Sequence, residues 1–200
     1  MKYLFTILSL STILVFTGCK SASVSLQPLG SISHANWQGN RTYQVLVVGY
    51  AYDTDKRIAF ENEMVHSLRR AGINASPSHE VYPLLRMIHT QSLSTYLNNG
   101  TDNAVLFAHA IAVTQQAYNM VDPINVDHRM FGSNHKDWQI KVGAIVEAAL
   151  YVSDMPHSVW LNRMKLQSTL DDAPATDSIQ AYVSALMTSL RQQTVLSRLK

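Results

Sequence analysis

The stretch Thr42–Ala51 constrains the fold more than any other part of the chain. From Val45 to Val48 its apolar residues run on without alternation, which in a strand means cover on both faces. Such a strand belongs at the centre of a sheet, with helices packed on it. The residues after it agree. Asp53 or Thr54 can cap the free N–H groups of a helix start. A helix from there to about Ala71 places Ile58, Glu61, Val65 and Leu68 on one stripe, with Phe60, Met64 and Ala71 beside it. Arg69 and Arg70 stand in the last turn, where the helix dipole favours cations, and Gly72 supplies the left-handed residue beyond it. The expectation is a strand–helix unit.

The rest of the chain extends that unit. Ile73–Tyr82 reads as a second strand, placed at an edge by Pro77, which has no N–H for a central ladder. Thr90 or Ser92 can cap a short helix through Leu93, Tyr96 and Leu97, ended by Asn98-Asn99-Gly100. Asn103–Thr114 reads as a third, buried strand. Gln115–Asp137 then shows no period, and loops of this length are often functional. Trp138–Val152 alternates, with Ile140, Val142, Ala144, Val146, Ala148 and Leu150 on one face. Ser153–His157 form a turn, Ser158–Ser168 return as the hairpin's second strand, and Thr176 or Asp177 caps a last amphipathic helix carrying Ile179, Val183, Leu186, Met187 and Leu190. The predicted fold is α/β (α+β). A mixed sheet of about five strands carries two to three helices, in the order strand–helix–strand–helix–strand, long hairpin, C-terminal helix. Residues 42–200 form one domain.

The first residues are of another kind. Lys2 gives a positive start, Leu4–Phe16 are apolar or small hydroxyl residues, and Phe16-Thr17-Gly18-Cys19 put small side chains before a cysteine. The run is too short to span a bilayer, which takes roughly 20 residues, and suits a secretory signal. It resembles the lipobox of bacterial lipoproteins. The resemblance implies a signal peptide over 1–18, acylation of Cys19 and a membrane partner reached through that lipid. Lys20 stands where an aspartate commonly signals retention at the inner membrane. By resemblance to sorted lipoproteins, the expected place is therefore the outer membrane of a Gram-negative bacterium, on the periplasmic face. Residues 19–41 read as the lipidated cysteine and a Ser-, Gly-, Asn- and Gln-rich tether, with Trp37 a plug against the domain's edge. Cys19 is the only cysteine, so once acylated it leaves no thiol for disulfides, zinc or nucleophilic chemistry. Without Lys2 the chain has 15 basic residues against 14 acidic ones. That balance argues against nucleic acid, whose phosphates call for clustered Lys and Arg.

Sites for chemistry are sparse. Asp122, Asp127, His128, His135 and Asp137 are the candidate metal ligands, with Asp127, His128 and His135 foremost, but the six-residue gap between the histidines matches no spacing that fixes a geometry. Gly132-Ser133 near His135 lacks the strand-borne turn of a hydrolase nucleophile. The loop Gly49–Asp53 has one glycine where a phosphate cradle needs several. Glu61, Glu63 and Glu80, candidates for a glycosidase pair, read as solvated or capping groups, and Arg57 with Glu61 as a helix-surface pair worth a few tenths of a kcal/mol. His109 reads as a buried, bonded strand histidine and Glu147 as solvent-facing. Tyr43, Tyr50, Tyr52, Tyr151 and Trp160 could form an exposed contact patch, with the core competing for most of them. Tyr118, Arg129 and Phe131 in the long loop are the candidate partner contacts.

A strand ending in Gly49, the helix pattern Arg57-x-x-Phe60-Glu61-x-x-x-Val65-x-x-Leu68, Gly72, and a hairpin ending in Val159-Trp160 before a C-terminal helix resemble small bacterial lipoproteins. They are similar to the N-terminal domains of TolB and of the curli-secretion lipoprotein CsgG. The resemblance covers roughly Thr42 to Leu196. It implies an α/β sandwich for protein–protein contact at the cell envelope, with no catalytic residue to carry over and no cofactor. The reading is a non-enzymatic envelope lipoprotein, an interaction or assembly component whose partners are other envelope proteins or further copies of itself. A metal or small-ligand module on the 115–137 loop is the alternative, and a hydrolase the third.

Overall fold

A computed structural model of the chain describes residues 24–39, 41–119, 138–169 and 175–200. Six strands form one mixed sheet: β1 (Val24–Ser33), β2 (Gln44–Tyr50), β3 (Asn74–Pro77), β4 (Asn103–Asn119), β5 (Trp138–Val152) and β6 (Trp160–Thr169), side by side in the order β1-β6-β5-β4-β2-β3. β2 runs parallel to β3 and β4, and the remaining pairs are antiparallel. Helix α1 (Thr54–Arg70) carries the chain from β2 to β3, and α2 (Thr90–Asn98) lies on the return from β3 past β2 to β4. The two crossovers move in opposite directions, so right-handed connection puts their helices on opposite faces. Packing agrees. Val45 and Val47 meet Phe60, Met64 and Leu68 of α1, whereas Leu46 and Val48 meet Leu93 and Leu97 of α2.

The α1 face is completed by α3 (Ala175–Gln192) and the short α4 (Val195–Arg198), whose Val183, Leu186, Leu190, Val195 and Leu196 join its core together with Leu199. Trp37 is 2% exposed there, as its reading as a plug requires, and lies beneath the Arg198 guanidinium.

Local chemistry accounts for the boundaries, and it corrects several expectations. Asp53 is the α1 cap, its carboxylate accepting from Lys56 N–H, and Gly72 has φ +81°. At α2 the cap is His89 rather than Thr90 or Ser92. Its Nδ1 accepts the Ser92 N–H while the Ser92 hydroxyl accepts the His89 N–H. α3 begins at Ala175, so Thr176 and Asp177 lie inside it rather than capping it. The second strand is only Asn74–Pro77 at the sheet's edge, because Ser78–Glu80 turn into a 3-10 helix.

The largest correction concerns the stretch read as a tether. Within 19–41, Val24–Ser33 is a full edge strand paired with β6, and it is the sixth strand of the mixed sheet that the described residues form. Its side chains bury little, so backbone pairing holds it. Pro28 and Gly30 stand at a register shift on this edge, where a missing N–H costs no ladder bond. Asn162 Nδ2 donates to Ser189 Oγ, which donates to Ser31 Oγ, tying β6, α3 and β1 together.

Candidate functional site

Two places gather the polar and aromatic chemistry of the described residues. The first is a buried knot at the end of β2. Arg57 and Glu61 fall on the inner stripe of α1 and are 2% and 0% exposed, which overturns their reading as a surface pair. Glu61 Oε1 accepts from Gly49 N (3.0 Å), Arg57 Nε (3.0 Å) and Ser78 Oγ (2.7 Å), and Oε2 from the backbone N–H and ring Nδ1 of His79 (both 2.8 Å). Arg57 Nη2 donates to Ser78 Oγ and to the Tyr82 carbonyl. Burial by itself would raise the Glu61 pKa. The hydrogen bonds from Ser78, Gly49, Arg57 and His79 outweigh it, and the carboxyl sits below its ordinary value. With five donors on one carboxylate and no open side, the knot has no room for a substrate. It clamps β2, α1 and the turn after β3 to one another.

The second place is the face of the sheet beneath α2. Cross-strand partners define its rows: Val48, Phe107, Ala149, Leu161 and Ile32 in one, Tyr50, His109, Glu147 and Arg163 in the next. α2 covers only the β2–β4 side of these rows. Beside it lies a groove of about 490 Å³. The sheet lines it with Tyr50, Phe107 and Tyr151, and α2 with Leu93 and Leu97. His89, Thr90 and Ser94 add polar groups, and no Lys, Arg, Asp or Glu lines it among the described residues. The Tyr50 and Phe107 rings are 5.8 Å apart, and Phe107 and His109 5.2 Å. Burial, then the charge of Glu147, push the Tyr151 phenol up, so it stays a neutral hydroxyl. His89 accepts the Ser92 N–H on Nδ1, which leaves Nε2 as its other ring nitrogen. The groove can thus hold uncharged, apolar groups and offer neutral donors and acceptors at its edge.

The aromatic residues proposed for a contact patch separate here. Tyr43 and Trp160 are core residues at 1% exposure, while Tyr50, Tyr151 and Tyr52 are 39%, 38% and 94% exposed. Glu147 is paired with Arg163 rather than free in solvent. His109 has a buried Nδ1 with no hydrogen-bond partner, contrary to the bonded histidine expected.

Tyr118 belongs to β4, opposite Gln139 of β5, so the segment read as a loop from Gln115 starts as strand through Asn119. Cys19, Asp127, His128, Arg129, Phe131 and His135 lie outside the described residues. Among the described residues no three His, Cys, Asp or Glu side chains are grouped to hold a metal ion. No described helix is long and apolar enough to cross a membrane.

No family model matches the chain, and no curated protein matches it. Similar solved structures include the PelC dodecamer from Paraburkholderia phytofirmans, at 12% identity over 84% of this chain and 97% of that one, with a TM-score of 0.46. Lipoprotein GNA1162 from Neisseria meningitidis is 12% identical over 76% of this chain and 98% of that one, with a TM-score of 0.44. Likenesses of this size carry no ligand, partner or assembly from one chain to another, and the resemblance to TolB and CsgG stays one of pattern.

Proposed function

We propose that the chain is a lipid-anchored protein of the cell envelope, held through Cys19 on the periplasmic face of the outer membrane. It acts there as a non-enzymatic interaction or assembly component, and its partner is another envelope protein or a second copy of itself. The observation that carries the contact role is the half-covered face of the sheet, where an uncharged groove adjoins exposed Tyr50 and Tyr151. Exposed apolar surface beside a groove marks contact sites.

A photo-crosslinking residue at Tyr151, compared in whole envelopes with one at the exposed Asn62 on the α1 surface, tests the contact. Discrete adducts from position 151 and none from 62 are expected, and the same adducts from both positions would refute this face. Anchoring is tested separately. Cys19→Ser protein should take up no fatty-acid label, and label equal to wild type would end that part of the reading.

A further inference from the structure

The register of β1 decides which end of the sheet a lipid on Cys19 can hold. Val24 pairs with Ser168, Ser168 with Val142, and Val142 with Gln115. β1 therefore starts at the end of the sheet where β4 finishes and β5 begins. It finishes at the other end, where Ser33 pairs with Trp160 and Trp160 with Leu150. Only Lys20, Ser21, Ala22 and Ser23 separate Cys19 from Val24. Five chain steps reach at most about 18 Å. The ten residues of β1 span about 30 Å at the rise of a strand. A lipid on Cys19 can sit close to the Val24 end but cannot be brought to the Ser33 end.

The groove is displaced from the held end. Phe107, in its wall, is eight residues before Gln115 on β4, a distance of about 25 Å along the strand. β2 pairs with β4 only from Asn103 to His109, so β2 and β3, with the groove beside them, occupy the part of the sheet remote from the start of β1. We propose, resting on the acylation of Cys19 given above, that the protein stands end-on to the bilayer. The end of the sheet at which Val24, Ser168, Val142 and Gln115 pair, and past which β4 and β5 run on to Asn119 and Trp138, faces the lipid headgroups, and the α2 groove is held out in the aqueous space. Headgroups and acyl chains of the anchoring membrane are then out of the groove's reach.

The single cysteine makes this measurable. In the acylated full chain the Cys19 sulfur is blocked, so a second cysteine is the sole free thiol. Gln167→Cys lies on β6 beside the Val24 end, and His157→Cys lies in the turn at the opposite end. Both positions are exposed. Each is labelled with a fluorophore on vesicles whose lipid headgroups carry a quencher. Quenching several-fold stronger at position 167 than at 157 is expected. Equal quenching, or stronger quenching at 157, overturns the orientation. A second preparation replaces Cys19 by Ser and holds residue 19 through a short polyhistidine tag on nickel-chelating vesicles. If cells leave Cys19 unacylated, the anchoring reading fails. The tagged preparation still decides whether a chain held at residue 19 stands on this end.

Discussion

Val47 and Val48 are adjacent in β2 and both are fully buried, yet what buries them differs. Val47 lies in the large core that α1, α3 and the C-terminal residues close over the sheet. Val48 lies in a small cluster with Leu46, Ile88 and Val105 under α2. One face is finished, and the other is finished only as far as β4. Stability resides mainly in the closed face, while the open face keeps aromatic and aliphatic side chains at the surface, with Ile32 at 69% exposure. Substitutions should therefore divide by face.

The largest loss is expected where charge is enclosed. Glu61→Ala leaves the Arg57 guanidinium buried without its carboxylate, and should cost about 3–5 kcal/mol in denaturant unfolding. A change below 1 kcal/mol would show that the knot is not part of the closed face. Leu68→Ala, 0% exposed in the same core, should cost about 2–4 kcal/mol through lost transfer and cavity contributions. Gly49→Ala is a smaller probe, since a Cβ there would stand 2.8 Å from Phe60 Cδ1. About 1–3 kcal/mol is expected from overpacking, and an unchanged midpoint would mean the ring gives way freely. Tyr182→Phe has the opposite sign. The ring stacks on Phe60 at 5.7 Å, but its hydroxyl is buried with no hydrogen-bond partner, so its removal should stabilise by about 1 kcal/mol. A loss of stability would show that the hydroxyl is satisfied in solution. The smallest stability effect belongs to the open face. Tyr151→Ser should move the unfolding midpoint within about 0.5 kcal/mol while weakening the contact, read with the photo-crosslinking residue moved to Tyr50 on the same groove. If it unfolds the protein instead, the two faces are not distinct.

Acid separates the knot further. Its hydrogen bonds hold the folded Glu61 carboxyl below its ordinary value, so the folded state binds the proton less readily than the unfolded one. The stabilisation is complete above the unfolded pKa and is lost as pH falls through the folded one. Thermal melts of the wild type should drop across that acidic window, and Glu61→Gln should flatten the drop.

Much of this contrast could be read from residues alone. The unbroken Val45–Val48 run, the Asp53 cap and Gly72 placed β2 and α1, because each reports a local requirement of the backbone. The knot was readable too. Arg57 and Glu61 continue the stripe of Phe60, Met64, Val65 and Leu68, and only their charge argued for solvent. What shielded them, Ser78 and the His79 amide, comes from a turn after β3 that no helical period announces. β1 was hidden for a different reason. Its Ser-, Gly- and Pro-containing sequence is held by a ladder to residues 160–168, and ladder bonds leave no mark in side-chain pattern. The groove needed the register of β4 and β5, which brings Phe107 and Tyr151 together from 44 positions apart.

The clasp at the end of the chain has a consequence in time. Tyr43 N–H donates to the Leu199 carbonyl, and Thr42 Oγ1 donates to the Lys200 carbonyl. Leu199 is 1% exposed, and a Cβ on Gly39 would stand 2.2 Å from the Arg198 carbonyl oxygen. The entrance to the central strand is thus locked by residues that leave the ribosome about 150 positions later, and such distant pairings are the slow ones to form. A chain emerging from its N-terminus can make α1 early but cannot close this core until Leu199 has arrived. A core completed only by its last residues suits the export that the proposed lipid anchor on Cys19 requires, since a chain that folds late can still be threaded through a channel.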